Sequence, residues 1–185
     1  MNKNMLCALV VVLVSLFAFS ALCAESPESK TFFTKVNIWY ERPIKILSTN
    51  YHRGAILPVG SKVMIISLGD GKIRFNEEKT QTLFTIYHVP KYTNVSIRAL
   101  FDRYFSETDP MAKDGPFHKF TKMEQENIKK GTIAVGMSKD AVLMAYGYPP
   151  THRTPSIKSD SWGYWLDRKS INLDFRDGKI SNIRN

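Results

Sequence analysis

The chain has 185 residues and carries 26 Lys and Arg against 17 Asp and Glu, a formal net charge of +9. Apolar residues make up 43% and aromatics 12%, enough to build a packed core, which excludes wholesale disorder. The two cysteines, Cys7 and Cys23, both fall within the first 23 residues, which excludes a disulfide-stapled scaffold and a cysteine-ligated metal site from the rest of the chain.

Residues 1–24 combine an early Lys3, an uncharged apolar stretch over 5–24 and small residues ahead of Glu25-Ser26-Pro27. That order is the pattern of a secretory signal peptide, so the protein is expected to be exported, to the periplasm or the outer membrane. Three fates of the segment stay open. It is cleaved, after Ala24 or after Ser20; or Cys23 is a lipidation site, making a lipoprotein; or the run stays as an anchor, since its length suits a bilayer. Residues 25–185 keep 25 basic and 17 acidic side chains, a net +8, divided as +3 over 25–127 and +5 over 128–185.

Residues 31–106 are expected to form a β-rich domain. Short runs at 36–40, 44–47, 62–66, 72–75 and 83–87 are rich in β-branched and aromatic residues. Asp70-Gly71 separates two of them and predicts a two-residue hairpin turn. The expected form is a small barrel or curled sheet with one helix over 95–105, capped by Thr93, Asn94 or Ser96 and packing an aromatic stripe on the sheet. The segment Gly54-Ala55-Ile56-Leu57-Pro58-Val59-Gly60 leading into Lys62-Val63 resembles, over a dozen residues, bacterial SH3-like modules, in which a Leu-Pro-x-Gly turn enters a strand.

Residues 107–120 are polar, contain two prolines and a glycine, and read as a linker. Residues 121–185 are expected to form an α+β domain. Thr121-Lys122-Met123-Glu124 is a capping box for a helix ended by Gly131, and Ser138 caps a second helix stopped by Gly147 and Pro149-Pro150. Then the period becomes two: Trp162, Tyr164 and Leu166, then Ile171, Leu173 and Phe175, then an Asp177-Gly178 turn into a last strand over 179–183. Two helices packed on a three-stranded antiparallel sheet are predicted.

The pieces Gly136-Met137-Ser138, Val142, Tyr146-Gly147-Tyr148-Pro149, Trp162-x-Tyr164 and Leu173-x-Phe175 closed by Asp177-Gly178-Lys179 resemble, in order, the SmpA/OmlA family, the BamE-like domain of bacterial envelope proteins. The resemblance covers about residues 123–185. It implies a non-enzymatic role, in the family's best-known case as a lipoprotein accessory of the machinery that inserts β-barrels into the outer membrane. Each piece also has a purely structural explanation in turn glycines, a helix-stopping proline and a packed sheet face.

No catalytic residue and no cofactor is expected. The four histidines, His52, His88, His118 and His152, lack metal-ligand spacing, and no nucleophile elbow or phosphate loop occurs. Basic residues never run longer than two, and with export this speaks against nucleic acid. The expected function is an envelope binding or scaffold protein whose partners are envelope proteins such as the outer-membrane assembly machinery, with anionic lipid or cell wall as further contacts. The alternative is a secreted inhibitor or small-ligand module built like the β-lactamase inhibitors, which use similar helix-helix-strand units. Candidate interface residues are Tyr148, His152, Arg153, Trp165 and Arg168. Strand alternation puts Trp165 opposite Trp162 and Tyr164, where it serves either as an interface anchor beside Arg168 or as a second apolar layer against the first half.

Overall fold

The computed structural model describes residues 30–166 and 169–185; the signal-peptide segment 1–24 with its lipidation candidate Cys23, and Arg168, lie outside them. The fold is mixed α+β, with three helices, a curled six-stranded sheet and a three-stranded antiparallel sheet.

The first half is mainly strand: β1 (Thr31–Thr34), β2 (Ile38–Tyr40), β3 (Ile46–Leu47), β4 (Ala55–Leu57), β5 (Lys62–Gly69), β6 (Lys72–Glu77) and β7 (Leu83–Tyr87). Helix α1 (Ile97–Tyr104) and the short β8 (Phe105–Ser106) complete it. The large sheet has the order β3-β7-β6-β5-β1-β8, while β2 and β4 form a separate pair. Asp70 and Gly71 both take positive φ (48° and 68°), the geometry of the predicted hairpin turn between β5 and β6. Pro58 to Ser61 closes a turn in which Gly60 sits at φ 81°, a value that favours glycine. Ser96 is the helix cap, its hydroxyl accepting from Ala99 N–H at 3.1 Å. Leu100, Phe101 and Tyr104 then face Val63, Ile73, Phe75 and Ile86 in one buried cluster.

In the second half, α2 (Lys122–Lys130), α3 (Lys139–Tyr146), β9 (Ser161–Leu166), β10 (Lys169–Arg176) and β11 (Lys179–Arg184) follow in the expected order, and the sheet runs β11-β10-β9. Ile128 from α2 and Ala141, Val142 and Ala145 from α3 pack on Trp162, Tyr164, Leu173 and Ile180 in a second buried cluster. Period two holds for Trp162 and Tyr164, both fully buried, but Leu166 at the strand end is 38% exposed. The segment 107–120 contributes to this core as well. A single 3-10 turn, Pro116–Lys119, delivers Phe117 into it, one apolar side chain hidden in a polar stretch.

Glu124 ties the two helix starts together. One carboxylate oxygen accepts from Thr121 N–H and hydroxyl, both at 2.9 Å, and the other from Ser138 N–H (2.8 Å) and hydroxyl (2.7 Å). Burial opposes its charge, but the hydrogen bonds from Ser138 and Thr121 win and hold its pKa down at about 2. Because the folded value lies below the unfolded one, this stabilisation is complete above pH 4.5 and fades as the pH falls toward 2. Glu124→Gln is expected to lower unfolding free energy by about 2 kcal/mol at pH 7 and by much less at pH 2.5, read by urea denaturation. An equal loss at both pH values would contradict the assignment.

The halves meet along a polar seam in which the first half caps the helices of the second. The last carbonyls of a helix have no partner within it. Asn37 Nδ2 donates to Ile128 O of α2 (2.7 Å) and to Ala145 O of α3 (3.0 Å), Asn37 N–H donates to Met144 O, and Asn37 Oδ1 accepts from Val59 N–H at 2.8 Å. Asn50 Nδ2 donates to Tyr146 O and Tyr148 O, both at 2.9 Å.

Candidate functional site

The outward face of the three-stranded sheet, opposite the helices, carries Gly163 and Trp165 from β9 and, in register beside them, Asn172 and Ser170 from β10. Pro149 and Pro150 end α3 and start a tight turn in which Arg153 and Thr154 N–H both donate to Pro150 O at 3.0 Å. Thr154 Oγ1 accepts from Gly163 N–H at 2.9 Å and fixes the loop against the strand.

Arg153 is thereby laid across Gly163. A Cβ at position 163 would stand 2.9 Å from Arg153 Nε and 3.2 Å from Asn172 Oδ1, so the strand glycine leaves the room that the guanidinium occupies. The guanidinium carbon sits 4.6 Å from the centroid of the Trp165 ring, a cation–π geometry.

Two segments of the first half complete the surface. Tyr51 bridges to Trp165 through the backbone, and its ring lies 6.0 Å from the indole at 15°. His152 lies 6.1 Å from the indole on a nearly parallel plane and 4.9 Å from Tyr92, whose carbonyl its Nδ1 meets at 3.2 Å. Thr151 accepts from Asn94 N–H at 2.6 Å and donates to Tyr92 O, which pins the two loops together. The result is a row of aromatic rings, Tyr51, Trp165, His152 and Tyr92, with Arg153 on the central indole. Beyond Tyr51 it opens into a groove of about 680 Å³ that also contains Arg42, Lys45 and Arg53.

His52 holds this row from beneath. It is 3% exposed, its N–H donates to Trp165 O at 3.2 Å, and its ring nitrogens meet Trp165 O (Nδ1, 3.0 Å) and Tyr146 O (Nε2, 2.7 Å). The ring stacks on Tyr146 at 3.6 Å with Trp39 and Tyr164 edge-on. Burial lowers its pKa to about 4, against the two backbone hydrogen bonds, which favour the charged ring.

Of the residues nominated from sequence, His152, Arg153 and Trp165 come together. Trp165 is half-buried and packs on Tyr51 of the first half, and among the described residues its cationic neighbour is Arg153. Tyr148 turns elsewhere. It is half-buried beneath the Arg103 guanidinium (4.8 Å), packs against the first-half core, and has its hydroxyl pKa raised by burial. Tyr51 and Tyr92 are the contributors that the sequence pattern did not single out; each lies in a loop with no periodicity, and only the tertiary contacts bring them to β9. Among the described residues, no group of three or more His, Cys, Asp or Glu is placed to hold a metal ion, and no helix is long and apolar enough to cross a membrane. No family model, no curated protein and no solved structure matches the chain.

Proposed function

We propose that this is an exported, non-enzymatic binding or scaffold protein of the cell envelope, whose second half is a BamE-like domain of the SmpA/OmlA type and whose docking face is the Tyr51–Trp165–Arg153–His152 surface. The observation that carries the reading is the convergence of two elements from the second half, β9 and the 149–154 loop, and two from the first on one row of aromatic and cationic groups. Trp, Tyr and Arg are the side chains that dominate protein interfaces, because they bury large area at low entropic cost while offering directed polar contacts. Here the indole is already held by His52 and Tyr51, so little ordering remains to be done on binding. The order of the helix caps, Ser138 and Gly147 among them, and of the strand pairs that follow supports the family resemblance.

Copurification from chemically cross-linked envelopes, wild type beside Trp165→Ala, tests it. We expect the wild type to be recovered in the envelope fraction together with a defined set of envelope proteins that is lost, or reduced about tenfold, in the variant. Identical sets from both proteins, or retention of the chain in the cytosol, would overturn the reading. Recovery of a single soluble enzyme in place of envelope proteins would instead favour the inhibitor alternative.

A further inference from the structure

We propose that this face recognises carboxylates: its partner presents an acidic peptide segment that runs from the Arg42–Lys45 groove across Tyr51 and Trp165 to Arg153. The inference rests on the docking-face reading and names the chemistry of what docks there.

Several of the chain's cations are already neutralised. Arg184 holds Asp174 with two bonds at 2.7 and 2.6 Å, Lys139 meets Asp160 at 2.9 Å, Lys62 meets Glu78 at 2.7 Å, and Arg53 meets Glu41 at 3.0 Å. Arg153 is treated differently. Among the described residues no carboxylate bonds it; its one hydrogen bond is a long contact to Asn172 Oδ1 (3.4 Å), and its buried Nε has no partner. Arg42 and Lys45 in the adjoining groove likewise form no ion pair among the described residues, and Glu41, the acid of that groove, is engaged by Arg53.

A half-buried guanidinium with most of its donors unused presents a planar fork that matches a carboxylate, and the indole against its flank fixes the direction of the fork. The guanidinium depends on the room left by Gly163, since a Cβ there would meet Arg153 and Asn172. The separation of the uncompensated cations into two sites joined by Tyr51 and Trp165 suits an extended chain carrying several carboxylates and some apolar side chains, rather than a small anion. The positive excess of the second half, +5 over residues 128–185, steers such a segment toward the face.

The test uses the purified exported protein and three probes: a fluorescein-labelled peptide alternating Glu or Asp with Tyr or Phe, the same peptide with Gln and Asn in place of the acids, and vesicles of phosphatidylglycerol. Fluorescence anisotropy is expected to show the acidic peptide binding at least about tenfold more tightly than its amide counterpart, with an affinity that falls as salt rises. Arg153→Gln should weaken the acidic peptide about tenfold and Arg153→Lys less, while leaving the thermal melt unchanged. Gly163→Val, which keeps the charge and displaces it, should weaken binding similarly. Equal binding of the two peptides would overturn the carboxylate inference and leave the docking face standing. Binding of vesicles alone, or of neither peptide, would overturn it in favour of a lipid or a different partner. Failure of the docking face itself is read separately, from a Trp165→Ala variant that still captures every envelope partner.

Discussion

Asn37→Ala is expected to lower the unfolding free energy by about 3–5 kcal/mol. Asn37 is 2% exposed, and its amide makes three hydrogen bonds. Truncation leaves Ala145 O and Val59 N–H buried without those partners, at about 1–3 kcal/mol for each group that water cannot reach, and leaves Ile128 O with the 3.2 Å bond from Gly131 N–H. Asn37→Asp should be worse at neutral pH, because a carboxylate would face two carbonyl oxygens at positions where the amide now donates. Since the helix ends of the second half are capped from the first, urea denaturation of the wild type should follow one cooperative transition by tryptophan fluorescence and by circular dichroism alike. A loss below about 1 kcal/mol, or two separated transitions, would show that the seam does not couple the halves.

The second large effect is pH dependence from His52. Its folded pKa of about 4 lies below the ordinary 6.5, so the unfolded chain takes up a proton that the folded chain refuses between these values. Stability therefore falls as the pH drops through this window, by about 1.4 kcal/mol between pH 7.5 and 5.5 and about 3 kcal/mol in all once the pH is below 4. The neutral ring has one N–H for two carbonyls; the 2.7 Å contact to Tyr146 O is the one to which we assign it, leaving Nδ1 as a bare acceptor beside Trp165 O. The hydroxyl of Tyr164 is committed to Gly147 O at 2.9 Å and offers the ring nothing. His52→Phe, which retains the stack on Tyr146, should flatten the stability profile between pH 7.5 and 5.5, a range in which the Glu124 carboxylate stays charged in both states. A wild-type profile that is flat there would refute the assignment. A slope that persists in the variant would move it to another histidine.

Much of the local structure is readable from sequence because its causes are local. The Asp70-Gly71 and Asp177-Gly178 turns, the Thr121–Glu124 capping box, the Ser138 cap and the alternation of Trp162, Gly163, Tyr164 and Trp165 are each decided within a few residues, and each is present. The site is legible only in part for the opposite reason. Alternation places Trp165 on the outer face, but nothing local says that Arg153, twelve positions earlier, lies on it; that depends on the gap at Gly163 and on the proline turn at 149–150. Nor does anything local mark Asn37, Asn50 or His52 as caps for carbonyls more than ninety residues away. Their side chains are polar in a β-rich stretch, which by itself suggests exposure. Phe117 is the converse case, a core residue in a segment whose prolines and charges suggest none.

If both halves build one docking face, site-specific photo-cross-linking from either half should capture the same partner. A benzophenone amino acid is placed at position 51 in one strain, at 165 in a second and at 181, on β11, in a third, and each strain is irradiated alive. The same cross-linked species is expected from 51 and 165, with its loss when Arg153→Gln is added, and no such species from 181. Different species from 51 and 165, or the same species from all three positions, would contradict it.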